Sequence, residues 1–320
     1  MHYSVNKGDR LEDIPQDINL VTMGINPSKS DVHLGHYLTM YQALRLIADR
    51  RDTKGLFFVD DREYDNKKER EGRGVWMPPN DNVASIVVRM RSFIADMERE
   101  LSSDGLQERV MVRPMSNHMS QAPHAESLGN GYRLYEMIRL NHDRISNAFP
   151  IFRPDYPHDK GQLSMRPVCR ECHYAPVACS DVQTEPGKMY GACRNAACRC
   201  RVVTVDLERD QTNWAMHYTI DPLRDVLLAR DKNAGVAHVF GGDYGMEWGP
   251  GRTPKAQRLS GLIRDMNKDV VVHHYVGPLL TRYGEKLSKS NGDHSQQPAA
   301  RELERMLGHA TLEVNAVAGH

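Results

Sequence analysis

Two histidines and two lysines, far apart in the chain, have the types and spacing to handle a polyphosphate. The first pair stands in "GINPSKSDVHLGHY", where His33 and His36 lie at i and i+3 and share one face of a helix. Each imidazole can donate a hydrogen bond to a phosphate oxygen. Gly35 between them carries no side chain, which leaves room for an adenine or ribose. The second pair stands in "EKLSKSNGD", where Lys286 and Lys289 repeat the i, i+3 spacing beside a glycine. Two ammonium groups there can stabilise the charge that grows on an α-phosphate and on departing pyrophosphate. Neither string is specific alone, because an ordinary helix start and a solvated basic loop read the same way.

A third cluster holds sulfur. All six cysteines fall in "CRECHYAPVACSDVQTEPGKMYGACRNAACRC". Cys169-x2-Cys172 and Cys193-x4-Cys198 are two close-set pairs of the kind that brings four thiolates to the corners of a tetrahedron around Zn2+. Cys200 is an alternative to Cys198 as fourth ligand, Cys179 is spare, and reduced or redox-active thiols are the competing reading. Four thiolates fill the coordination sphere, so the expected zinc is structural. Its binding would fold a segment with few apolar residues.

The elements that must position these groups alternate. "INLVTMGI" (18–25), "KGLFFVDD" (54–61), "RVMVRPM" (109–115), "VAHVFGGD" (236–243) and "DVVVHHYVG" (269–277) read as apolar strands. Between and beside them, "YLTMYQALRLIAD", "VASIVVRMRSFIADMERE", "GYRLYEMIRLNHDRI", "DPLRDVLLARD", "TPKAQRLSGLIRDM" and "QPAARELERMLGH" read as helices, with Tyr37, Tyr41, Leu44 and Ala48 on one face of the first. Strands alternating with helices imply parallel βαβ units. The proline-rich "FPIFRPDYPHDKG" marks a boundary before the cysteines. The expected fold is therefore α/β, a Rossmann-type parallel sheet interrupted by a helical connective region and a zinc-ribbon-like insert. Residues 1–155 form its first half, 156–205 the insert, 206–297 the second half with the KLSKS loop, and 298–320 a short helix and tail.

The chain of 320 residues exceeds the usual single-domain size, and 40% hydrophobic residues supply a core. Lysines plus arginines and acids number 42 each, which argues against a protein that coats nucleic acid through bulk charge but leaves a local RNA patch open. No apolar run reaches the ~18 residues of a membrane span. "MHYSVNKGDRLEDIP" lacks the apolar core of a secretory signal, so the expected compartment is the cytoplasm. Nothing in the sequence specifies an oligomer.

Taken together, the two signatures and the pattern between them resemble class I aminoacyl-tRNA synthetases. In that family the first strand leads into H-[IL]-G-H (the HIGH motif) and the last sheet strand into K-[ML]-S-K-S (the KMSKS motif). No Walker-type glycine–lysine loop competes for the nucleotide. The G-x-x-P-[ST] loop is similar to that of tryptophanyl and tyrosyl enzymes, and "LLTRYGEKLSKSNGD" to glutamyl enzymes. Class I lysyl-tRNA synthetases match most segments in order: "VDDREYDNKKER", the paired cysteines, "NWAMHYTIDPLRD", "HVFGGDYG" and "KLSKSNGD", over Leu20 to Gly292. Tyr244 stands where the lysyl enzymes carry a histidine. The short stretch after "KLSKS" leaves no helical anticodon-binding domain in view.

The resemblance implies roles. His33 and His36 would bind the triphosphate, and Lys286 and Lys289, with Ser288 between them, would hold it from the opposite side. Asn26, Ser28 and Gly35 would approach ATP, and Gly241, Gly242 and Asp243 the adenosine ribose. Asp60 or Asp61 would take a substrate ammonium group, with Gly24, Trp214, His217 and Tyr218 around the amino-acid pocket. Turn capping for the aspartates, and core packing for Trp214, His217 and Tyr218, are the plain alternatives. The implied activity is ATP-dependent activation of a lysine-like amino acid, with Mg2+ and a structural zinc. The aminoacyl group would pass to tRNA or another RNA without anticodon reading. A ligase acting on a carrier protein or small-molecule amine, and a catalytically silent regulator or RNA-binding module, are the other expectations.

Overall fold

The apolar run at Ile18–Ile25 is the strand around which the molecule is built. The computed structural model describes residues 3–6, 14–25, 32–59, 81–114, 131–141, 144, 165–167, 169, 171, 183–185, 187–193, 198, 200, 202–207, 209, 214–216, 223–241, 255–266, 271–276, 279–282, 285–286 and 297–307. After β1 (Tyr3–Asn6) and β2 (Ile18–Ile25), α1 (Leu34–Asp49) leads to β3 (Lys54–Val59). Then α2 (Asp81–Glu100) and the single turn α3 (Leu106–Arg109) lead to β4 (Val110–Pro114). Helix α4 (Gly131–Leu140) precedes short strands: β5 (Met165–Pro167), β6 (Gln183–Glu185), β7 (Lys188–Ala192), β8 (Val202–Asp206) and β9 (Trp214–Met216). The alternation resumes with α5 (Arg224–Lys232), β10 (Gly235–Phe240), α6 (Lys255–Met266) and β11 (Val272–Val276). Strands β12 (Leu279–Arg282) and β13 (Glu285–Lys286) follow, and α7 covers 300–307.

Five strands form one parallel sheet in the order β11-β10-β2-β3-β4. The chain builds outward from β2 through β3 to β4, then returns to place β10 on the other side of β2 and β11 beyond it. That is a doubly wound α/β arrangement, and its strand order reverses between β2 and β10. The α/β expectation therefore holds, with a parallel sheet at its centre. A parallel sheet of this kind is covered on both faces, which is why its strands are near-continuous apolar runs rather than alternating ones.

Side chains two apart along each strand sort onto two faces, and the described apolar side chains into two large cores and a small one of Leu56, Phe58 and Leu228. Val21, Met23 and Ile25 join Phe57, Val59, Val112, Val239 and Tyr275 under α1 and α2, with Ala300 and Leu303 of α7 closing the layer. On the other face, Val226 and Leu227 of α5, Leu262 and Ile263 of α6 and Leu134 of α4 pack with Met189 of β7 and Val203 and Val205 of β8. Burying each such side chain contributes about 1.5–3 kcal/mol of transfer free energy.

Helix α1 is held at both ends of its buried stretch. Every residue from Tyr37 to Leu44 is buried, and the Tyr41 hydroxyl donates to Glu304 at 2.7 Å in α7. At its C-terminus, Arg109 donates to the carbonyls of Ile47 (2.6 Å), Arg50 (3.0 Å) and Thr53 (3.3 Å). These carbonyls are orphans of the helix end and the following turn, and a cation there also opposes the helix dipole. The helix axis is thus fixed against the sheet, and with it the direction in which its N-terminus points.

Candidate active site at the carboxyl edge of the sheet

His33 is the N-cap of α1, with extended backbone (φ −98°, ψ 166°) and no side-chain cap. Its carbonyl accepts from the amides of His36 (2.9 Å) and Tyr37 (3.3 Å). No acidic side chain sits in the first turn of this 16-residue helix. The helix itself therefore places no carboxylate at its positive end, which lies at the carboxyl edge of the sheet, next to the reversal of strand order. That location is where open α/β sheets receive phosphate-bearing ligands. The His33 and His36 rings stack there with centroids 3.7 Å apart and planes 18° from parallel. A Cβ on residue 35 would lie 3.0 Å from Cε1 of His33. The missing side chain of Gly35 thus admits the His33 imidazole itself, folded against its neighbour.

Two more glycines flank the crevice. Gly24, next to last in β2, is exposed, and among the described residues nothing lies within 4 Å of a Cβ built on it. A glycine in a central strand with open space above it marks a close approach by a ligand. Gly241 directly follows β10 and is half-buried. Because Met23 of β2 pairs with Val239 of β10, the two glycines end neighbouring strands.

On the face away from α1, a polar row crosses the sheet below Gly24. Thr22 of β2 pairs in register with His238 of β10, and His238 with His274 of β11. Asp225 of α5 reaches down to them. The Thr22 hydroxyl donates to Oδ1 of Asp225 at 3.2 Å. Nδ1 of His238 lies 3.0 Å from that hydroxyl and 2.8 Å from Oδ2 of Asp225. The second contact has ion-pair distance without hydrogen-bond alignment, so Oδ2 keeps its acceptor capacity. Thr22 is 0% and Asp225 4% exposed, and the His238 side chain is 15% exposed. Burial and then the neighbouring His238 push His274 down to about 3, so it is neutral in the fold, with Ser260 Oγ 3.0 Å from its Nδ1. A buried carboxylate, hydroxyl and imidazole so placed can read a hydrogen-bond donor or cation lowered past Gly24. The sequence reading missed this set; its only signals were Thr22 inside "INLVTMGI" and His238 inside "VAHVF".

Lys286 is the last residue of β13, paired across the hairpin with Thr281. Trp214 opens β9 and pairs with Pro167 of β5. Asn26, Ser28, Asp60, Asp61, Cys172, His217, Tyr218, Gly242, Asp243, Ser288 and Lys289 lie outside the described residues.

The sulfur atoms of Cys169, Cys193 and Cys198 all lie within 4.8 Å of one another, with Cys169 and Cys198 at 3.9 Å. Tetrahedral Zn2+ with Zn–S bonds of ~2.3 Å requires sulfurs ~3.8 Å apart, and the donor set fits. Cys200 donates to the Val202 carbonyl at 3.0 Å, and burial, then the Cys169 and Cys198 thiols beside it, push its own thiol up. Cys169 is buried in the second core, among residues of β7, β8, α4 and α5.

A cavity of about 890 Å3 opens at the other end of α1, lined by Arg45, Asp49, Arg51, Glu100, Arg109 and Glu304. It faces the negative end of the helix with mixed charge, which suits a polyphosphate poorly.

No protein-family model matches the sequence, and no curated protein does. Several solved structures resemble the fold. A tyrosyl-tRNA synthetase from Archaeoglobus fulgidus aligns over 88% of this chain and 62% of its own at 12% identity and a TM-score of 0.36. A tryptophanyl-tRNA synthetase from Plasmodium falciparum aligns over 82% and 51% at 13% identity and 0.34. A CDPS from Fluoribacter dumoffii aligns over 88% and 100% at 10% identity and 0.34. The chain thus spans about half to three fifths of the two synthetases. Likeness at this level places no activity on it.

Two outcomes are expected from the site chemistry. Purified protein should carry about one zinc per chain. Cys169→Ser should lose the metal and lower the unfolding midpoint; metal-free protein indifferent to a chelator contradicts the cluster. An imidazole neutral in the fold and titrating near 6.5 when unfolded draws the chain toward unfolding as pH falls from 6.5 toward about 3. Urea midpoints should therefore drop over that window, and less steeply in His274→Gln; equal slopes rule His274 out as a source.

Proposed function

We propose that the protein activates an amino acid with ATP at the crevice between β2 and β10. One observation carries this reading: the stacked His33–His36 pair stands on the N-terminus of α1 at the reversal of strand order. A carboxylate oxygen of the amino acid attacks the α-phosphorus, the bond to the bridging oxygen of pyrophosphate breaks, and an aminoacyl-adenylate remains. No protein nucleophile is needed, because in-line displacement at phosphorus calls for positioning and charge neutralisation. His33, His36 and the amide groups of the first helical turn would hold the phosphates from one side, and Lys286 and Lys289 from the other. Mg2+ would accompany ATP and supply positive charge to its triphosphate. Asn26, Ser28, Gly241, Gly242 and Asp243 would line the nucleotide, and Asp60 or Asp61 would take the α-ammonium group.

The Thr22–Asp225–His238 set supports a substrate with a donor-bearing end, and a lysine-like side chain suits the buried carboxylate of Asp225. Gly24 keeps the path down to it open. The acceptor in this reading is the hydroxyl of a tRNA or another RNA. The zero net charge of the chain keeps a carrier protein or small-molecule amine as the second reading.

The test is amino-acid-dependent exchange of pyrophosphate into ATP, without RNA, over the standard amino acids plus ornithine and β-lysine. Exchange with one of them is expected, and exchange with none, with or without total tRNA, overturns the reading in favour of a silent binding module. His36→Ala should lower kcat/KM by about 2–4 kcal/mol of transition-state stabilisation. Asp225→Asn should raise the KM for the amino acid while leaving that for ATP in place; the reverse pattern would move Asp225 to the nucleotide.

A further inference from the structure

The chain's first strand is joined to the second signature rather than to the main sheet. Strand β1 lies antiparallel to β12, with Tyr3, Ser4, Val5 and Asn6 opposite Arg282, Thr281, Leu280 and Leu279. Strand β12 is in turn the inner strand of a three-stranded sheet in the order β1-β12-β13. On its other side, Thr281 pairs with Lys286 and Arg282 with Glu285. Only Tyr283 and Gly284 separate those strands in sequence, so β12 and β13 form a tight hairpin whose last paired residue is the first lysine of "KLSKS".

A hairpin this short does not hold itself. β13 contributes two residues, and an isolated two-stranded ribbon is marginal in water without a third strand or a packed face. All four residues of β1 pair along β12, so β1 adds the longer of the two ladders that β12 makes. We propose that β1 is a strap that fixes the β12–β13 hairpin and thereby positions Lys286 for the ATP step, making the N-terminal strand a positioning element of a site whose other half begins at His33. The catalytic part rests on the activation reading above, while the pairing stands on the register alone. An ammonium group that neutralises leaving pyrophosphate acts only from the correct place, and small misplacements of such groups are costly to rate.

Backbone alternation supplies the test and its control. Along an edge strand, successive N–H groups point toward the partner and away from it. Of Ser4→Pro and Val5→Pro, therefore, one removes a ladder hydrogen bond to β12 and the other removes an outward N–H that an edge strand tolerates losing. In the full-length protein, one variant should lose amide-exchange protection across 279–286 by about tenfold or more, while the parallel sheet keeps its own. The same variant should lower kcat/KM for ATP in pyrophosphate exchange on the order of 10- to 100-fold, with the amino-acid KM and the main thermal transition unchanged. The other variant should match the parent in both measurements.

Protection at 279–286 unchanged in both variants overturns the strap. Lost protection with unchanged ATP kinetics overturns its positioning role. An equal fall for ATP and amino acid, with a lowered thermal transition, makes β1 merely structural. A parent inactive in exchange overturns the activation reading and the catalytic half of the strap with it, and amide protection then still decides the pairing.

Discussion

A parallel sheet that grew from one edge alone would, with right-handed crossovers, carry all its helices on one face and leave the other bare. The chain solves this by returning to β2 and adding β10 on its other side. Helices attached before and after that return lie on opposite faces, so they diverge at the carboxyl edge between β2 and β10. The crevice is a consequence of strand order. Everything assigned to the site follows from it: α1 presents its positive end there, Gly24 and Gly241 leave its walls low, and α5 delivers Asp225 from the opposite layer.

The buried polar row is the costly part of the design. Thr22, His238 and His274 replace apolar side chains on the sheet, and Asp225 one on the helix that covers it, where an isolated charge or unpaired polar atom is strongly unfavourable. Partial satisfaction by Thr22 and His238 limits that cost without removing it. A core that keeps such a set directly beneath an open strand glycine is better explained by a ligand than by stability. The cysteine cluster is placed differently: its three sulfurs gather where the short strands β7 and β8 pack against α4 and α5.

Much of the parallel core is legible in the sequence, and the reasons are physical. β2, β3, β4, β10 and β11 are apolar runs bounded by turn residues, and α1, α2, α5 and α6 carry helical periodicity, so each leaves a local pattern. His33, Gly35 and His36 are legible because strand, loop and helix start are contiguous. The Thr22–Asp225 contact spans 203 positions and exists only through sheet register and the packing of α5, so no local pattern announces it. Strands β5 to β9 are three to five residues long, too short for alternation to stand out in the sequence, although β7 and β8 bury alternate residues. Strands β1, β12 and β13 are four, four and two residues long, and β1 pairs with a strand far away in the sequence.

The central claim is that the switch-point crevice, and not the cavity at the far end of α1, receives the nucleotide. A crystal structure of the protein with Mg2+ and a nonhydrolysable ATP analogue tests it most directly. The account predicts the triphosphate over the first turn of α1, in contact with His33 and His36, and the adenosine beside Gly24 and Gly241. Nucleotide bound among Arg45, Arg51 and Arg109 instead, or a crevice that stays empty at saturating analogue, would contradict it.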